Sequence, residues 1–107
     1  MNRLTKRLAD LKKQNKKALV AYLVAGDPDI ESTLQLMNLF VESGVDVLEI
    51  GVPFTDPIAA GPIIQKAHDR ALEKNISLTA IFEMVQKFRE TDNTTPIVLM
   101  GYLNTFL

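Results

Sequence analysis

LEIGVPFTDPIAAGPIIQ, residues 48–65, combines three local signals in one stretch. Leu48 to Ile50 is apolar apart from one carboxylate, Glu49. Gly51, Pro53, Asp56 and Pro57 then interrupt regular structure, and Gly61-Pro62 suits a restart as helix, since proline in the first helical turn has no N–H to lose. Side chains alternate along a strand, so Val45, Val47, Glu49 and Gly51 share one face while Asp46, Leu48 and Ile50 share the other. Glu49 therefore stands near the C-terminal end of an otherwise apolar strand, just before a stiff loop. A carboxylate buried without a fixed cation keeps its proton to higher pH, which suits general acid or base work. The alternative is a partly exposed structural glutamate paired with a lysine.

Working outward, Leu4, Leu8 and Leu11 recur at helical spacing and predict a short amphipathic helix over 2–14. Residues 18–24 (ALVAYLV) form a continuous apolar run, as in a strand covered on both faces. Asp29 is a candidate N-cap for a helix to about residue 43, with Ile30, Leu34, Met37 and Val41 as its apolar stripe and Gly44 as its stop. A second strand follows over 45–51, and a helix from Pro62 to about residue 74. Ser77 caps another helix with Leu78, Ile81, Phe82, Val85 and Phe88 on its apolar face, and the turn cluster Asn93 to Pro96 leads into a third strand over 97–101. Alternating helices and strands of this kind predict right-handed crossovers and a parallel α/β sheet. Nothing after residue 101 is expected to cover the third strand's edge, so the sequence reads as one portion of a larger fold.

The chain has 107 residues, 47% apolar and 23% charged, with a net charge of −1 and no cysteine. One modest globular domain accommodates that length. The charge balance argues against a nucleic-acid or membrane surface, and the absence of cysteine removes disulfides, thiolate metal sites and a thiol nucleophile. The longest apolar run is far shorter than the roughly 20 residues of a bilayer span, and Asp10, Lys12 and Lys13 stand where a signal peptide would need its apolar stretch, so none is expected. A cytoplasmic location is expected. Lys12, Lys13, Lys16 and Lys17 read as a solvated helix end rather than a polyanion site.

Candidate chemistry is sparse. Asp27 beside Pro28 reads as turn chemistry, whereas Asp56 in its stiffer loop suits either a functional or an interface role. His68, the one histidine, excludes a metal site or Ser–His–Asp triad of the usual composition and reads as an exposed mid-helix residue. Tyr22 and Tyr102 are placed to line a pocket over Glu49, or else to serve as core aromatics. No glycine-rich phosphate loop is present.

LEIGVPFTDPIAAGPIIQ, with AGDP at 25–28 and PIVLMGYLN at 96–104, closely resembles the alpha subunit of tryptophan synthase across essentially the whole chain. That resemblance implies the N-terminal helix and first three strands of a TIM (β/α)8 barrel, with residues 1–107 as an N-terminal fragment of that single domain. It implies a lyase of tryptophan biosynthesis, which cleaves indole-3-glycerol phosphate by a retro-aldol reaction to indole and glyceraldehyde 3-phosphate. Glu49 resembles the family's acid–base residue. The family's second carboxylate, which accepts a hydrogen bond from the indole N–H, stands directly before Gly-Pro, a position held here by Ala60. Tyr22, Met100 and Tyr102 resemble substrate-pocket residues, and Pro53, Asp56 and Asn104 resemble parts of the interface with the beta subunit in an α2β2 complex. No metal or cofactor is implied for this chain, pyridoxal phosphate being expected only on the beta subunit.

Two departures qualify the expectation. Alanine neither accepts a hydrogen bond nor carries charge, and loss of one positioned catalytic group costs about 10²–10⁴-fold in rate. Three strands also cannot close a barrel, so marginal stability or self-association is expected. The readings are a severely impaired lyase, a non-catalytic fragment that keeps the beta-subunit docking loop, and a small doubly wound domain for another ligand, which would need a covered third-strand edge.

Overall fold

A computed structural model describes residues 2–53, 61–73 and 76–101. Seven elements follow in order: α1 (Arg3–Lys13), β1 (Val20–Val24), α2 (Ile30–Glu42), β2 (Val47–Gly51), α3 (Pro62–Glu73), α4 (Leu78–Arg89) and β3 (Ile97–Met100). The three strands are parallel and lie in chain order, β1-β2-β3. Three of the four helices, α1, α2 and α4, start where the sequence offers a side-chain acceptor for an orphan N–H. Asn2 Oδ1 takes the Thr5 amide, Asp29 Oδ1 the Ser32 amide and Ser77 Oγ the Ala80 amide. Gly44 follows α2 at φ +105, a conformation that only glycine adopts without strain.

Register assigns the two faces. Ala21, Leu48 and Ile97 align, as do Leu23, Ile50 and Leu99. This face meets Met37 of α2 and Ile81, Met84 and Phe88 of α4 in the main core. The opposite face carries Tyr22–Glu49–Val98 and Val24–Gly51–Met100 as successive rows. There Val24 packs on Ala67 and Ala71 of α3, while Val20 and Met100 remain about half exposed.

Polar ties fix the entrances to the strands. Leu19 donates its amide to Asp46 Oδ2 at 2.8 Å, and the Asp46 amide donates back to the Leu19 carbonyl at 2.8 Å. Arg7 reaches the Asp46 carbonyl from α1. Ahead of β3, Asp92 accepts from the Thr94 and Thr95 amides and from the Thr95 hydroxyl.

On α4 the buried side chains are Ile81, Met84 and Phe88, whereas Phe82, expected on the apolar face, is 51% exposed. At 100° per residue, positions 81, 84 and 88 lie on one line and 82 falls to its side. Among the described residues no helix is long and apolar enough to cross a membrane.

Candidate functional site

Glu49 lies centrally in β2, between Tyr22 of β1 and Val98 of β3 in register. It is half-buried and, among the described residues, carries no ion pair or hydrogen bond. The lysine partner of the structural alternative is thus not seen there. A carboxylate held on a small apolar face, with its oxygens uncommitted, can take or deliver a proton to a ligand above the sheet. One row nearer the strand ends, Gly51 stands between Val24 and Met100.

Gly51 is needed because Tyr22 crosses it. A Cβ at position 51 would overlap the Tyr22 hydroxyl and lie 2.8 Å from its Cζ. The phenol ring therefore leans from the Glu49 row toward the C-terminal end of the sheet, bringing its Oη within 3.4 Å of His68 Nε2 on α3. Burial lowers the pKa of the imidazole from its ordinary value, against an opposing pull from the Asp69 carboxylate.

His68 corrects the sequence expectation of an exposed residue, being only 5% exposed. The signal was present in the helix period. Ile64, His68 and Ala71 are spaced by four and three, so the histidine shares the stripe that α3 turns to β1. Asp27 also has more than a turn role. Its two carboxylate oxygens accept from Arg70 Nε and Nη2 at 2.6 and 2.9 Å, a bidentate pair joining the loop after β1 to α3. Local sequence carries no sign of a pair 43 residues apart. Two contacts, at positions 68 and 70, thus hold α3 beside the C-terminal end of β1.

Of the remaining candidates, Met100 is 48% exposed at the end of β3 and Pro53 is buried just after β2. Asp56, Ala60, Tyr102 and Asn104 lie outside the described residues. Among the described residues no group of three or more His, Asp or Glu side chains is placed to hold a metal ion.

The profile of the family described as tryptophan synthase alpha chain matches residues 8–107. The tryptophan synthase alpha chain of Alkalilimnicola ehrlichii is 55% identical over 104 residues, covering 97% of this chain and 38% of that protein. That of Neisseria meningitidis is 60% identical over 88 residues, covering 82% of this chain and 34% of its own length. Among solved structures, tryptophan synthase subunit alpha of Legionella pneumophila superposes with a TM-score of 0.96 at 52% identity, covering 99% of this chain and 40% of that one. The Pyrococcus furiosus tryptophan synthase complex gives a TM-score of 0.74 at 46% identity, covering 81% of this chain and 35% of the matched one. The chain thus spans less than half the length of these relatives, and its three parallel strands with their helices are an N-terminal portion of their TIM barrel. On sequence and fold together, the chain belongs to the tryptophan synthase alpha chain family.

Proposed function

We propose that this chain supplies the acid–base wall of a lyase that cleaves indole-3-glycerol phosphate to indole and glyceraldehyde 3-phosphate. Retro-aldol cleavage requires a proton at indole C3 and removal of one from the glycerol hydroxyl, and a single carboxylate can serve both steps. The carrying observation is Glu49 itself, half-buried in the middle strand, without a fixed cation among the described residues, on the face that the family's later strands would enclose. Tyr22 beside it and Met100 one row further along the same face serve as pocket walls, with Tyr102 assigned to the same wall by sequence. Residues 1–107 form the N-terminal portion of one barrel domain on this reading.

Ala60 limits the activity. It leaves the indole N–H without the family's carboxylate acceptor, so turnover is severely reduced even in a closed barrel. The same substitution favours a second reading, in which the chain docks on a beta subunit through Pro53, Asp56 and Asn104 without catalysing. The deciding experiment joins this chain to the remaining portion of the Legionella pneumophila protein and assays indole release. Ala60→Asp in that chimera should raise the rate by about 10²–10⁴-fold, and Glu49→Gln added to it should remove a similar factor. No gain from Ala60→Asp refutes the lyase reading; beta-subunit capture without indole release supports the docking one.

A further inference from the structure

The seat of α3 lies toward its far end. Among the described residues its buried side chains are Ala67, His68 and Ala71, whereas Gly61, Pro62 and Ile63 at its start are exposed. The apolar part of the seat is Val24 against Ala67 and Ala71, with Ile64 and Ile76 beside them. Methyl groups pack without direction, so such a seat lets a helix tilt at little cost. The 3.4 Å contact of Tyr22 with His68 is long for a hydrogen bond and constrains an angle weakly. Direction comes from Arg70, whose Nε and Nη2 donate to Asp27 Oδ1 and Oδ2 at 2.6 and 2.9 Å. Two parallel bonds between planar groups fix orientation as well as distance.

Asp27 can anchor the helix because its own turn is tied down. The Asp27 amide donates to the Val24 carbonyl at 3.3 Å, and the Gly26 amide to Thr33 Oγ1 of α2 at 2.9 Å. Gly26 sits at φ +86, and a Cβ there would strike Ile76, so the chain beyond α3 also rests on this turn. The Asp27 side chain is 17% exposed and that of Arg70 52%. A pair so open to water adds little stability, and its effect is on geometry. Pro62 stands eight residues before Arg70, about 12 Å along the helix axis. A tilt of about 5° about the Arg70 end carries the start of α3 through about 1 Å, and a misplacement of that size at a reacting group costs about 10²-fold in rate.

We propose that Arg70 and Asp27 are positioning residues for the side chain at position 60, which one peptide bond joins to Gly61 at the start of α3. Both act at a distance, Asp27 through Arg70 and Arg70 through the helix. The inference rests on the lyase reading, in which a carboxylate at position 60 answers the charge that develops on the indole ring.

Arg70→Lys keeps the charge, loses the planar fork and leaves the buried seat untouched. In the 107-residue chain, residual dipolar couplings of the α3 amides, referred to those of β1 and β2, should show the helix reoriented by about 5° or more in Arg70→Lys and in Asp27→Asn. An unchanged helix direction overturns the inference. In the Legionella chimera carrying Ala60→Asp, Arg70→Lys should lower kcat for indole release about 10–100-fold with KM nearly unchanged. With Ala60 retained there is no carboxylate to misplace, and the same change should cost about 3-fold or less. A general loss of structure would lower both backgrounds alike. Equal losses in the two backgrounds, or no loss in the Ala60→Asp background, overturn this inference alone. Failure of Ala60→Asp to raise indole release brings down the lyase reading and this inference with it.

Discussion

Replacing Gly51 with alanine separates the architecture of the site from the stability of the fold. The new methyl would overlap the Tyr22 hydroxyl and stand 2.8 Å from Cζ and 3.3 Å from Cε2. Comfortable carbon contacts lie at about 3.5–4.0 Å, so the ring tip must retreat by about 1 Å. Tyr22 is 36% exposed and can make that move into open space. Displacing a side chain from its rotamer well costs about 0.5–1.5 kcal/mol. Against this, alanine within a strand recovers about 0.5–1 kcal/mol of the backbone entropy that glycine loses on folding. The two effects nearly cancel, and unfolding in urea should change by less than about 1 kcal/mol. The Tyr22–His68 contact does not survive the move. Water then reaches the imidazole, and its titration should rise toward the ordinary value. With Tyr22 already replaced by alanine there is nothing to overlap, so Gly51→Ala should become stabilising. A loss above about 3 kcal/mol in the parent, or an unchanged His68 titration, would refute the placement of the ring across Gly51.

Thr33 and Asp92 offer independent checks on the supporting frame. The Thr33 hydroxyl is fully buried, accepts from the Gly26 amide at 2.9 Å and donates to the Asp29 carbonyl at 2.9 Å. Thr33→Val keeps the shape but strands the Gly26 N–H, so it should lower stability by about 1–3 kcal/mol in urea unfolding, with Thr33→Ser nearer the parent. For Asp92, burial pushes the pKa upward, but hydrogen bonds from the Thr95 hydroxyl and from the Thr95 and Thr94 amides outweigh it and hold the carboxyl below 3.8. The depressed folded value means that its contribution is complete above 3.8 and is lost as pH falls through the lower folded value. Acid titration of stability should show that extra loss below pH 3.8 in the parent and not in Asp92→Asn; identical acid profiles would contradict it.

Most of the frame was legible because its signals are local. Asp29, Ser77 and Gly44 act within one turn of their own helices, and all three do what their positions suggest. The period of two placed Glu49 and Gly51 on one face, and the register with β1 and β3 agrees. What escaped was set by tertiary packing. His68 was judged as a polar type in mid-helix, although its spacing from Ile64 and Ala71 put it on the buried stripe. Phe82 was judged by hydrophobicity, although its angle on α4 put it in solvent. The Asp27–Arg70 pair and the ring of Tyr22 across Gly51 join residues far apart in the chain, and no short window of sequence contains them.

The chain-order arrangement of the strands bears on how the polypeptide acquires its shape during synthesis. Among the described residues β1 pairs with β2 and β2 in turn with β3, so each hydrogen-bonded seam closes between segments made one after the other. The Leu19–Asp46 tie completes the first seam at the strand entrances, and the Asp92 turn delivers β3 to the second. Each closure spans one crossover, from Val20 to Val47 or from Leu48 to Ile97, and the entropy cost of closing a loop grows only slowly with its length. A ribosome-bound chain that has released about 100 residues can therefore already carry Glu49, Tyr22 and His68 in their final relation, with the acid–base wall assembled from the N-terminus outward.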